Sequence, residues 1–182
     1  TIMQMDAGCD TGDMILKEEV IIEKDETAGS LHDKLAVAGS VALMKVLKQI
    51  SEGTMQREKQ DSSLSSYAKM LDKSMGNLDF NKTAVELERL IRGLNPWPSA
   101  YTHFEGKTLK IWRAAVCNEQ DKIEEASQYT NGQITAVNKN SYYIKTSEGL
   151  LEVLELQLEG KKRVTCAEFL RGYPVEVGYT FS

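Results

Sequence analysis

Three aspartates, Asp6, Asp10 and Asp13, share one short stretch with Gly8, Cys9, Thr11 and Gly12. A carboxylate in such a loop can fix the protonation and orientation of a neighbouring imidazole, or position a water that relays a proton. A carboxylate cannot itself supply the hydrogen-bond donor an oxyanion needs. Asp and Gly are also ordinary turn residues, and by themselves these residues read as a turn. No metal is expected. The three carboxylates lack the alternate-position spacing of a calcium loop, and no Glu stands at its twelfth position. Gly8 and Gly12 are expected instead to shape backbone for close approach to a flat ligand.

The second candidate set is cationic. Lys107, Lys110, Arg113, Lys139 and Lys145 are followed by the one dense basic run, Lys161-Lys162-Arg163. Sharing a face, they would neutralise phosphates without reading bases; scattered, each is a solvated lysine or arginine. The net charge is −5, divided as −4 up to Trp97 and −1 beyond it. No general basic field exists, so any polyanion binding is local. Trp97, Trp112, Tyr142 and Tyr143 offer stacking surfaces, but alternating apolar neighbours predict a core or hinge role for both tryptophans. His32 and His103 are isolated and receive no role. Cys9, Cys117 and Cys166 form no C-x-x-C pair, which predicts reduced thiols in the cytoplasm rather than zinc ligands or a disulfide framework.

These groups need elements to hold them. Thr1 to Met5 reads as a short strand leading into the Asp loop, and Met14 to Glu23 as a second strand. Ser30 and Asp33 resemble a capping box. They open a helix whose apolar residues, Leu31, Leu35, Ala38, Ala42, Val46 and Ile50, recur every three or four positions up to Gly53. Gly39 either divides this helix or permits close packing. A hairpin and one helix bury too little apolar surface to stand alone, so this segment requires more sheet. Gln56 to Ser66 resembles a linker. Thr83 and Glu86 cap a second helix, with Leu87, Leu90, Ile91 and Leu94 on one face and Gly93 and Asn95-Pro96 at its end. Then the period becomes two: Ala100–Phe104, Thr108–Val116, Gly132–Val137, Tyr142–Thr146 and Leu150–Leu156. Five short strands suffice for a small closed barrel of the OB type. Thr165 to Leu170 is a short terminal helix.

The 182 residues suit one compact domain or two small ones, with ordinary apolar (41%) and charged (27%) fractions. No run approaches the roughly 18 apolar residues of a membrane span, and no secretory leader is visible. The start at Thr1 suggests truncation or processing.

Three stretches, in this order and spacing, resemble methionyl-tRNA formyltransferases. They are Thr1-Ile-Met-Gln-Met-Asp-Ala-Gly-Cys-Asp-Thr-Gly-Asp-Met14, Asn95-Pro96-Trp97-Pro98, and Gly160-Lys161-Lys162-Arg163. The resemblance implies α/β followed by all-β. Residues 1–63 would be the remnant of a Rossmann-like formyltransferase domain, 64–98 a linker and connecting helix, and 99–182 an OB-like tRNA-binding barrel. It implies an enzyme that moves a formyl group from 10-formyltetrahydrofolate to the α-amine of initiator methionyl-tRNA in translation initiation. Asp10 matches the family's catalytic Asp, and Asp6, Gly8, Cys9 and Asp10 the folate loop. Lys107, Lys110, Arg113, Lys139, Lys161, Lys162 and Arg163 are the tRNA-binding candidates. The family's Asn and His match nothing here, neither His32 nor His103, so this chain alone is expected to be inactive. Cys9 departs from a frequent Leu, with little effect expected on chemistry. A monomeric cytoplasmic protein is expected. The alternatives are an amino-sugar formyltransferase, a formyltetrahydrofolate hydrolase, or a non-catalytic RNA-binding OB module. Asn95-Pro96-Trp97-Pro98 favours the tRNA enzyme.

Overall fold

A 25-residue helix, α1 (Ala28–Glu52), begins where Thr27 and Ser30 satisfy each other's backbone. Thr27 Oγ1 accepts from Ser30 N at 3.1 Å, and Ser30 Oγ accepts from Thr27 N at 3.0 Å. The capping residue is thus Thr27, three positions before the expected Ser30. A serine can fill the third helical position of the box as Glu does, and that left the Ser30–Asp33 pair as a decoy. Gly53, at φ 67°, ends the helix by donating to Gln49 O and Ile50 O. Gly39 does not interrupt it.

The computed structural model describes residues 1–181, in two compact units, Thr1–Met70 and from Leu71 onward. In the first unit β1 (Ile2–Met3) pairs antiparallel with β2 (Met14–Leu16), and the Asp loop joins them. The strand expected to reach Glu23 stops at Leu16. Ile21 and Ile22 are exposed, because β-branched residues form a strand only where a partner edge and a covering face exist. The helix α1 is in the same position. It buries Ala42 and Val46 but exposes Leu35, Val41, Leu43, Met44, Leu47 and Ile50. The expected linker at Gln56–Ser66 is not loose. Glu58 and Met14 exchange two backbone hydrogen bonds of 2.8 Å each, and Lys17 pairs with Glu58 at 2.9 Å.

The second unit opens its core with α2 (Ala84–Gly93). Thr83 and Glu86 cap it as expected, and Leu87 and Ile91 are buried. Two cis peptide bonds follow, Asn95-Pro96 and Trp97-Pro98. The strands β3 (Ala100–Phe104), β4 (Lys107–Cys117), β5 (Ile134–Val137), β6 (Tyr142–Lys145) and β7 (Leu150–Leu158) form an antiparallel ladder in the order β3-β4-β7-β6-β5. A two-residue strand, β8 (Val164–Thr165), adds to β7. A short helix, α3 (Gln120–Glu125), not foreseen, fills the β4–β5 connection. The terminal α4 (Cys166–Gly172) is capped by Thr165 and Glu168 and buries Phe169.

Short segments cover both edges of this open path. Leu78 N donates to Tyr101 O on β3 at 2.9 Å. Beside β5, Ile134 N donates to Tyr179 O at 2.9 Å and Phe181 N to Gly132 O at 3.0 Å. Tyr179 Oη in turn accepts from Glu105 N at the β3–β4 turn, 3.0 Å away. Sheet edges left bare invite aggregation, and these segments remove that exposure. One core joins Leu87, Ile91, Phe104, Leu109, Ile111, Ile134, Tyr142, Ile144, Leu151, Leu156, Phe169 and Phe181. Among the described residues no helix is long and apolar enough to cross a membrane.

Candidate functional site

The Asp loop is held from three directions. Asp6 Oδ1 accepts from Thr11 Oγ1 at 2.6 Å and from Gly8 N at 3.0 Å. Thr11 first, and then the Gly8 amide, hold this carboxyl below the usual carboxylate range. Asp10 lies in the left-handed region at φ 56°. That region costs an L-residue about 1–2 kcal/mol, least for Asn and Asp. The third hold comes from Gln60, whose Nε2 donates to Asp10 O at 2.9 Å and to Gly12 O at 2.7 Å.

The two glycines answer to the loop itself. A Cβ on Gly12 would stand 1.7 Å from Gln4 O, and one on Gly8 would stand 2.1 Å from Thr11 Oγ1. Their bareness is therefore explained by tight internal packing, and the expected approach of a ligand is not needed to account for it.

Asp6, Asp10 and Asp13 line a cleft of about 500 Å³ together with Met14, Gln60, Asp61 and Leu64. Cys9 is exposed on the loop. The far wall, 59–65, was missed from sequence. It reads as a polar run, and nothing local marks Gln60 as reaching a loop 50 residues away. Asp61 stiffens that wall by accepting from Ser63 N at 2.9 Å. Among the described residues no group of His, Cys, Asp and Glu is arranged to hold a metal.

On the second unit the cationic candidates separate. A β-bulge around Arg113 breaks the alternation of β4, so Trp112 and Arg113 both stay off the core between buried Ile111 and Ala114. The Trp112 ring has Lys110 Nζ 5.6 Å and the Arg163 guanidinium 5.1 Å from its centroid. Glu155 accepts from Arg113 Nε at 3.0 Å and from Arg163 Nη2 at 2.5 Å. Gln157 joins the patch to the basic run, accepting from Trp112 Nε1 at 3.2 Å and donating to Lys161 O at 2.8 Å. Lys110, Arg113 and Arg163 thus converge, with Lys161 and Lys162 exposed on the adjoining turn.

Lys107 is exposed at the start of β4. Lys139 lines a different cleft, with Arg171 and Leu170. Lys145 is spent on the carbonyl of Thr146 at 2.7 Å. Trp97 is 56% exposed and fills no core, so of the expected core or hinge role the core part fails. Trp112 is half-buried at the patch. Tyr142 is buried in the core, and Tyr143 lies under Lys122, which leaves neither available for stacking. The Cys166 thiol, fully buried, is pushed up to about 12 by desolvation, which leaves it inert.

Residues 70–174 match the family described as formyl transferase, C-terminal domain, and residues 1–47 match the one described as formyl transferase. The chain belongs to the formyl transferase family. Among curated relatives, the methionyl-tRNA formyltransferase of Lachnospira eligens is 49% identical over 178 residues, covering 98% of this chain and 56% of that protein. That of Agathobacter rectalis is 47% identical over 182 residues, covering 100% of this chain and 57% of that protein. The chain therefore spans a little over half the length of these formyl transferases. The sugar 3N-formyl transferase WlaRD shares the fold at a TM-score of 0.62 and 20% identity, over 88% of this chain and 54% of that one. HypX of Aquifex aeolicus, solved with tetrahydrofolic acid, also has a TM-score of 0.62, at 13% identity over 99% of this chain and 33% of that one.

Proposed function

We propose that these 182 residues are part of a methionyl-tRNA formyltransferase, which moves a formyl group from 10-formyltetrahydrofolate to the α-amine of initiator methionyl-tRNA. The observation that carries this reading is the 49% identity over 178 residues to a protein of that name, across both units. In this reading residues 1–63 complete a Rossmann-like formyltransferase domain, and the bare apolar faces of α1 and Ile21–Ile22 receive its remaining sheet. Residues 64–98 connect, and 99–182 form an OB-like barrel, a reading supported by the covered edges of β3 and β5. The protein acts as a monomer in the cytoplasm.

The cleft chemistry fits a folate. Met14 and Leu64 offer apolar surface to a flat ring, and the carboxylates and carbonyls of the Asp6–Asp13 loop accept from ring amino groups. The bound folate supplies the formyl carbon. Asp6, Gly8 and Cys9 shape the loop against it. Asp10 orients a neutral histidine and stabilises the imidazolium it becomes, or positions a relaying water, as that group takes the proton from the attacking amine. That histidine, and an asparagine donor for the carbonyl oxygen, come from outside these residues. Lys110, Arg113, Lys161, Lys162 and Arg163 hold tRNA phosphates around Trp112, with Lys107 and Lys139 as outlying contacts.

The test is formyl transfer by the full-length protein, offered methionyl-tRNA and an amino-sugar nucleotide in parallel with the same donor. Transfer to the tRNA alone is expected. Exclusive use of the sugar, or tRNA binding without any transfer, would overturn the reading.

A further inference from the structure

We propose that Gln60 is a positioning residue for Asp10, and that the segment around it forms a fixed wall of the reaction cleft; this rests on the function proposed above. Its single amide nitrogen spans two carbonyls, those of Asp10 and Gly12, at 2.9 and 2.7 Å. Those carbonyls flank Thr11, the residue that bonds Asp6. One side chain therefore clamps the backbone on both sides of the residue through which the loop bonds to itself.

The clamp acts where the backbone most needs it. Asp10 is held at positive φ, from which an L-residue tends to relax. Rotation back to an ordinary conformation would swing the Asp10 carboxylate and its carbonyl together. Gln60 can resist only if its own backbone is anchored. The paired hydrogen bonds of Glu58 with Met14 supply that anchor two residues away, and the Asp61–Ser63 turn stiffens the other side. Gln60 itself is half-buried among otherwise exposed neighbours, as expected of a group that faces inward from a surface segment. It lines the same cleft as Asp10. An amide suits this position because a donor must meet two acceptors without adding a charge among three carboxylates.

The experiment compares Gln60→Met, similar in length but without a donor, with Gln56→Met as a control on the same segment, both in the full-length protein. Gln60→Met is expected to lower kcat about 10- to 100-fold, the loss that a misplaced catalytic group produces. KM for methionyl-tRNA should stay within about 2-fold, since the tRNA patch is untouched. Amide exchange across residues 6–12 should accelerate in Gln60→Met and not in Gln56→Met. Unchanged kcat, or a loop that exchanges as slowly as wild type, overturns the role of Gln60. A merely structural role would lower the melting temperature and affect kcat and KM together, which also overturns it. A wild-type protein that transfers no formyl group overturns the proposed function instead, whatever the variants do.

Discussion

The guanidinium of Arg163 lies 5.1 Å from the centroid of the Trp112 ring, while Glu155 holds it from the side. Arginine stacked on an indole keeps outward donors for phosphate, and its planar fork loses little entropy on use. Changing Lys161, Lys162 and Arg163 together to Ala is expected to weaken tRNA binding and to flatten its log–log salt dependence by at most about 3 units. Trp112→Ala should weaken binding with less change in that slope, because the ring carries no charge and only aligns its neighbours. Filter binding of methionyl-tRNA across a salt series measures both, and an unaltered slope in the triple variant removes the run from the interface.

Asp10 faces the cleft from a backbone conformation that Asn tolerates as well as Asp does. Asp10→Asn therefore removes the charge and keeps the turn. The full-length variant is expected to lose formyl transfer by about 100-fold or more, with a melting temperature close to wild type. Single-turnover transfer separates the chemical step from binding, and wild-type turnover would take Asp10 out of the mechanism.

What was legible in the sequence divides along physical lines. Thr83 with Glu86 and Thr165 with Glu168 announce their helices because a capping box is a local contract between residues three apart. β3 was legible because one face of it is buried, so period two was imposed by the core, whereas β6, with Tyr142, Tyr143 and Ile144 all buried, was legible from its aromatic and β-branched residues. The bulge at Trp112–Arg113 was not foreseen: Leu109 and Ile111 keep step, and the next buried residue is Ala114. The end of β2 at Leu16 was not legible either, since β-propensity records fit to a partner that Val20–Ile22 do not have in the described residues. Nor was Gln60, whose worth lies in two bonds spanning 50 and 48 residues. The Asp loop was found by pattern, but the internal packing that already requires its glycines depends on where Gln4 and the Thr11 side chain lie in space, which the pattern does not carry.

The loop's glycines are unequal. At Gly12 the added carbon would strike the Gln4 carbonyl, which is backbone and cannot swing aside; at Gly8 it would strike the Thr11 hydroxyl, which can rotate at the cost of its bond to Asp6. Gly12→Ala is expected to destabilise the first unit by about 2 kcal/mol or more and Gly8→Ala by about 1 kcal/mol. Urea unfolding followed by amide exchange at residues 4–14 ranks them, and equal effects would show that the loop shifts as a body.

The carboxylates that cap α2 and α4 make the second unit sensitive to acid. The Thr83 and Thr165 amides, and then their hydroxyls, hold Glu86 and Glu168 below their ordinary 4.5. A carboxyl lowered in the folded state contributes its full stability above 4.5, and loses it as pH falls from there through the folded values. Stability of this unit is expected to decline below about pH 4.5. In Glu86→Gln/Glu168→Gln, where the amide can still complete each box, the decline should be shallower and the value at neutral pH little changed. Urea midpoints between pH 3 and 7, about the range that brackets these groups, decide it. Parallel acid limbs in wild type and variant would place the acid sensitivity elsewhere.

Tyr142 is fully buried, its ring stacked on Phe181 at 5.8 Å and 23°, and its hydroxyl meets no hydrogen-bond partner among the described residues. Burial also pushes its phenol well above the ordinary value, as a group cut off from water requires. Such a hydroxyl has given up its water without compensation, a loss of about 1–3 kcal/mol. Phenylalanine keeps the ring and the stacking while removing the stranded group. Tyr142→Phe is therefore expected to raise unfolding free energy by about 1 kcal/mol, part of the gain being offset by the small void left behind. Catalysis should be untouched, since the residue serves the core of the second unit and lines neither the Asp cleft nor the Trp112 patch. Chemical denaturation at pH 7 reads the change directly. A Phe variant less stable than wild type would mean that the hydroxyl is satisfied after all, by a water or by a neighbour that reorients in solution.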